Sequence, residues 1–136
     1  MNHHVLGFIL STACLGIADA APIAVNCPER VSVNQTTTAP DGWEIVPPRW
    51  EPSLEGITVY DGPPQNLASQ VPVEMAAQGG QLVHRYEAKD GFWLECRYQG
   101  ASLTIAKPLP PGVKRCHGYY QRQKSGLGPL QRFECE

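Results

Sequence analysis

The chain has 136 residues, 11 basic and 13 acidic for a formal net charge of −2, and 42% of its residues are hydrophobic. This length suits one small globular domain, and the near-neutral balance supplies no global field to draw it to nucleic acid or an anionic membrane. Its 18% charged residues, 13 Gly and 13 Pro, against a usual charged share of about 25%, favour a turn-rich β architecture over long helices.

Residues 5–18 are uncharged and mostly apolar, and they lead to Ala18-Asp19-Ala20, a small-x-small triplet suited to signal peptidase. Residues 1–20 are therefore read as a signal peptide and residues 21–136 as a single exported β domain. The apolar run falls short of the ~20 residues a spanning helix needs, so no stable membrane insertion is expected after cleavage. The expected destination is the periplasm or the exterior. The alternative is a lipoprotein anchored through Cys14, although the preceding Ser11-Thr12-Ala13 fits that signal poorly.

Cleavage removes one of five cysteines and leaves Cys27, Cys96, Cys116 and Cys135. An even set in an exported domain favours two disulfides. Zinc is the alternative use, but no two of the four form the Cys-x₂₋₄-Cys pair typical of structural sites. Three pairings are possible. The spacing favours Cys116–Cys135 across a terminal hairpin, which leaves Cys27–Cys96 to tie the N-terminal strand to the strand carrying Cys96.

In chain order, residues 30–34 and 56–60 alternate as strands, the second stopped by Asp61-Gly62-Pro63-Pro64. Residues 61–80 lack a strong period and read as a long connection with one helical turn near 72–78. Residues 81–87 and 92–99 are expected to form a hairpin around Lys89-Asp90-Gly91. In the second of these strands Phe92, Leu94, Cys96 and Tyr98 share one face, and Trp93, Glu95 and Arg97 the other. Residues 102–106 make a further strand and 108–112 a forced turn. Residues 113–121 and 130–135 then form the disulfide-tied hairpin around 125–129. The fold expected is mainly β, a small antiparallel sandwich-like or curved-sheet domain stapled by two disulfides.

The sequence offers little for catalysis. His84 sits in an expected strand with Leu82 and Tyr86, and His117 adjoins Cys116. There is no Gly-x-Ser-x-Gly elbow, His-Glu-x-x-His helix or Gly-rich phosphate loop, so no catalytic residue, metal ligand or cofactor is assigned. A hydrolase acting on envelope polymer is the alternative reading, using carboxylates such as Glu44 and Glu55. An envelope structural or assembly accessory is another. Binding fits better. Lys107 to Arg132 carries six cations and no acid, whereas Asp41 to Asp61 holds five acids, a segregation suited to a charge-complementary partner. Of the aromatic residues Trp43, Trp50, Tyr60, Trp93, Tyr119 and Tyr120, most are expected in the core, but Trp93 alternates away from it. Trp93, Arg97, Arg122 and Lys124 are the partner-binding candidates.

The order Cys27-Pro28, Gly42-Trp43, Tyr60-Asp61-Gly62-Pro63-Pro64, Trp93-Leu94-Glu95-Cys96-Arg97-Tyr98, Leu109-Pro110-Pro111-Gly112 before Cys116, and a final Cys135 resembles a family of small exported proteobacterial proteins. One member is encoded in a Salmonella pathogenicity island that also encodes a type VI secretion system. The resemblance implies a shared scaffold and location and carries no catalytic residues. It further implies an exported, non-catalytic binding protein whose partner is a secreted effector or other periplasmic protein. The specific expectation is an immunity protein that inhibits a type VI secreted, cell-wall-targeting effector.

Overall fold

The computed structural model describes residues 21–34, 36, 38–46, 49–89, 91–100 and 102–136. The expected signal peptide and the lipidation alternative at Cys14 lie outside the described residues. Eight strands follow in chain order: β1 (Ile23–Ala24), β2 (Ser53–Asp61), β3 (Glu74–Gln78), β4 (Gln81–Glu87), β5 (Phe92–Gln99), β6 (Thr104–Pro108), β7 (Arg115–Gln123) and β8 (Gly126–Cys135). They form two antiparallel sheets, one of five strands ordered β1-β8-β7-β4-β3 and one of three ordered β2-β5-β6. The mainly β, antiparallel fold with two disulfides is as expected from the sequence.

Period-two alternation decides which residues meet between the sheets. On β5, Phe92, Leu94, Cys96 and Tyr98 are buried while Trp93 and Glu95 are half-buried and Arg97 is exposed. On the five-stranded sheet Tyr86, Cys116, Phe133 and Cys135 point to the same core, which Val25, Val59, Leu109 and Val113 complete. Phe92, Leu94 and Phe133 are the largest of the fully enclosed apolar side chains. Burying each such side chain contributes roughly 1.5–3 kcal/mol.

The two disulfides do different work. Cys116 and Cys135 face each other across the β7–β8 ladder and are bonded, so this bridge staples one sheet to itself. Cys27 is bonded to Cys96 on β5. Its segment begins as β1 on β8, donates from the Val25 amide to the Phe133 carbonyl at 2.9 Å, and passes to the other sheet. There the Tyr98 hydroxyl donates to the Pro28 carbonyl at 2.8 Å, the Leu54 amide donates to Glu29, and Arg30 bridges Ser53. The N-terminal segment therefore straps one sheet to the other.

Several local expectations are corrected. Residues 81–87 and 92–99 are strands but not a hairpin: β4 pairs with β3 and β7, whereas β5 pairs with β2 and β6. The connection is a corner between sheets, where Gly91 takes φ 99° and its carbonyl accepts the Gly62 amide at 2.8 Å. Residues 31–34 form no strand, and only Arg30 makes an isolated bridge. The connection 61–80 holds its helical turn at Pro64–Asn66, and a strand, β3, occupies the place expected for it near 72–78. The strand expected at 102–106 runs Thr104–Pro108, an edge position that tolerates proline. The terminal hairpin extends beyond the expected loop, because the register shifts between Tyr120 and Arg122 absorb Gly128 and Pro129 into β8. A Cβ on Gly128 would stand 2.6 Å from the Gln121 carbonyl, so this close approach requires glycine.

Candidate partner-binding surfaces

The outer face of the three-stranded sheet is built by β2, β5 and β6. Register places Tyr60 and Pro108 on either side of Trp93, Thr58 and Ala106 beside Glu95, and Gly56 and Thr104 beside Arg97. The Tyr60 hydroxyl donates to Glu95 Oε2 at 3.3 Å. Burial raises the Tyr60 phenol pKa, and the Glu95 carboxylate adds to that shift. Arg97 lies across Gly56, whose missing Cβ would stand 2.9 Å from the guanidinium. Trp93 and Arg97 thus share one face, as expected, but Trp93 is half-buried in a row between an aromatic ring and a proline.

The outer face of the five-stranded sheet carries two transverse rows. One runs Ala76, Val83, Tyr119, Arg132, and its neighbour runs Glu74, Arg85, His117, Glu134. The Arg85 Nε donates to Glu74 Oε2 at 2.9 Å and its Nη1 pairs with Glu87. Arg132 pairs with Glu134 at 3.1 Å and sets its guanidinium carbon 3.6 Å from the Tyr119 ring centroid. The groove bounded by Glu74, Ala76, Gln78, Val83, Arg85, His117 and Tyr119 holds about 220 Å³ and is open to solvent. This falls below the ~300–1,000 Å³ of a typical small-molecule pocket. The surface suits contact with a macromolecule better than enclosure of a substrate.

On the opposite face of the same sheet, Tyr120 folds over Gly118, where a Cβ would meet the ring at 2.9 Å. The His84 ring centroid is 4.8 Å from that of Tyr120. Burial, with Tyr86 beside it, holds the Tyr120 phenol well above its usual pKa range. Burial likewise lowers the His84 pKa. His84 is therefore a packed strand histidine.

Arg122 and Lys124 lie at the β7–β8 end of the five-stranded sheet, apart in topology from Trp93 and Arg97. The structure thus divides the four candidates into two pairs on different sheets. Both residues are exposed and make no ion pair among the described residues, whereas Arg115 and Arg132 of the same cationic run are paired with Glu136 and Glu134. The carboxylates raised for hydrolysis do not join the groove: Glu55 is the extra residue at the β2 bulge and Glu44 lies in an irregular stretch. Among the described residues no three His, Cys, Asp or Glu side chains gather to hold a metal ion, and no helix is long and apolar enough to cross a membrane.

The expectation that most of the aromatic set is core fails: Tyr120 is buried, Tyr60, Trp93 and Tyr119 are half-buried, and Trp43 and Trp50 are 75% and 70% exposed. Sequence reasoning also missed β3. All five of its residues are exposed, and the apolar Val71, Val73 and Met75 beside or on it are exposed too. Their alternate spacing is a signal, but only where one face is known to be covered.

Residues 48–136 match a family model described as the type VI secretion system Tli immunity protein. The chain is also 29% identical over 122 residues, spanning 82% of this chain and 80% of the other, to an uncharacterized 16.3 kDa protein in the trpG 5′ region of Azospirillum brasilense. No solved structure matches. The family match takes in β2 to β8, the Cys116–Cys135 bridge, β3 and all four candidate binding residues, and leaves β1 and Cys27 outside it. The chain belongs to the type VI secretion system Tli immunity protein family.

Proposed function

We propose that this protein works in the periplasm as a stoichiometric, non-catalytic inhibitor of a type VI effector directed at the cell envelope, the cell wall being the target class expected from the resemblance. Family membership over residues 48–136 is the observation that carries the reading. Two paired disulfides support an oxidising compartment, and the apolar residues 5–18 with their small-x-small triplet support export. Inhibition by binding follows from rigid β surfaces with exposed, unpaired cations, which steer an acidic partner and seat it without chemistry. Of the four sequence candidates, the exposed Arg122 and Lys124, unpaired among the described residues, are the two offered for contact, whereas Trp93 and Arg97 lie on the other sheet.

The test is protection in cells. The effector encoded in the neighbouring open reading frame, sent to the periplasm, should arrest growth, and the full chain with its own residues 1–20 should restore it. Residues 21–136 without an export signal should give no protection. Equal protection by the unexported chain would refute the periplasmic site, and no protection by either form would refute the immunity reading.

A further inference from the structure

The five-stranded sheet reaches beyond the three-stranded one and ends in β3, which pairs only with β4. The edges of the three-stranded sheet are defended. The free side of β2 is occupied by Arg30 at Ser53, by Ser69 at Tyr60 and by the Gln70 amide donating to Val59 at 2.8 Å. β6 ends in Lys107 and Pro108, two residue types that discourage strand addition. β3, Glu74-Met75-Ala76-Ala77-Gln78, has neither. The Arg85 carbonyl faces β3 and accepts the Val73 amide at 2.8 Å. Glu74, Ala76 and Gln78, opposite Arg85, Val83 and Gln81, therefore pair inward, and strand alternation turns the backbone of Met75 and Ala77 outward.

Beside that edge lies an apolar shelf. Register puts Met75 next to His84 and Ala77 next to Leu82, on the face that Tyr86 and Tyr120 carry into the buried interior. Here that face is uncovered: Met75 is 67% exposed and Val73 55%. At one end, the Arg122 amide donates to Gly80 in the β3–β4 turn at 3.3 Å, which brings the unpaired Arg122 and Lys124 to the end of the shelf. The acids on and beside β3, Glu74 and Glu87, are both held by Arg85. A second copy of this chain would offer no free carboxylate there to match these cations.

We propose that the effector docks on this edge by adding a strand to β3, laying apolar side chains on the Val73–Met75–Ala77 shelf and carboxylates against Arg122 and Lys124. Strand addition of this kind takes affinity from main-chain hydrogen bonds and specificity from alternate side chains. The inference rests on the immunity reading and names the surface that performs it.

The experiment titrates protein exported from the full chain against the toxin domain of the neighbouring-frame effector, with thermal unfolding as a folding control. Met75→Lys and Ala77→Pro should each weaken binding by about 10-fold or more. Arg122→Glu with Lys124→Glu should chiefly slow association, and Trp93→Ala should bind nearly as wild type. Hydrogen exchange on the unmutated complex provides a readout independent of variant folding, and it should show slowed exchange across 74–78. The surface is refuted if the β3 variants bind as wild type, if protection falls on 93–97 instead, or if the chain dimerises through β3 without effector. A wild-type protein that fails to bind at all refutes the immunity reading itself.

Discussion

The two sheets handle the same hazard differently. The three-stranded sheet is closed at its margins, with β2 covered by residues 29–30 and 68–70 and β6 blunted by Lys107 and Pro108. The five-stranded sheet is cross-linked at its centre by Cys116–Cys135, yet it ends in a bare strand with exposed apolar neighbours. An undefended edge invites pairing with another chain. Its place beside a rigid, disulfide-held ladder suits a protein that must pair with one partner and present a fixed surface to it. The closed sheet provides the core, and the open one provides the contact.

The largest way to break this arrangement is to release the strap between sheets. Replacing both Cys27 and Cys96 with Ser opens a loop closed over 69 residues, and the chain-entropy estimate gives a loss of about 4.4 kcal/mol. Removing Cys116–Cys135, which spans 19 residues, should cost about 3.2 kcal/mol. Denaturant unfolding of each variant checks the order. A larger loss from the second pair would mean that the strap is not what holds the sheets together.

A smaller effect is expected where the open sheet is packed tightest. Gly118→Ala drives a Cβ to 2.9 Å from a Tyr120 ring that His84 and Tyr86 hem in. The expected cost is about 1–3 kcal/mol, read from the same denaturant curves. The pH response concerns the same corner. Because burial lowers the His84 pKa from its ordinary 6.5, the unfolded chain takes up that proton more readily than the folded one. The stability this neutral histidine supports is present above pH 6.5 and falls as pH drops below it. His84→Gln should flatten the decline in melting temperature between about pH 7.5 and about pH 5.5. The smallest effect is expected on the outer face. Arg85→Ala removes two solvent-facing ion pairs and should cost less than about 1 kcal/mol, with the change shrinking further in high salt.

The sequence reading succeeded where a constraint was local and chemical. An even cysteine set with hairpin spacing led to both bridges, and the alternation of 92–99 assigned Phe92, Leu94, Cys96 and Tyr98 to the core. It failed where long-range pairing overrides a local signal. The short Lys89-Asp90-Gly91 link looks like a hairpin loop, but β5 finds its partners in β2 and β6 and the chain turns a corner instead. β3 was missed because both its faces are exposed, so the alternation of Val71, Val73 and Met75 answers to no buried face, and Ala76 and Ala77 blur it. The cationic run showed that charge was segregated but not which charges are free. The ion pairs of Arg115 and Arg132 leave Lys107, Lys114, Arg122 and Lys124 unpaired among the described residues, and the bond from the Arg122 amide to Gly80 is what sets Arg122 beside β3.

The central claim, inhibition by stoichiometric binding, is tested most directly by titrating effector activity against the purified protein. The account predicts a linear fall that reaches its floor at one equivalent and does not deepen with incubation. Loss of activity at far less than one equivalent, growing with time, would show turnover of the effector and contradict a non-catalytic immunity protein.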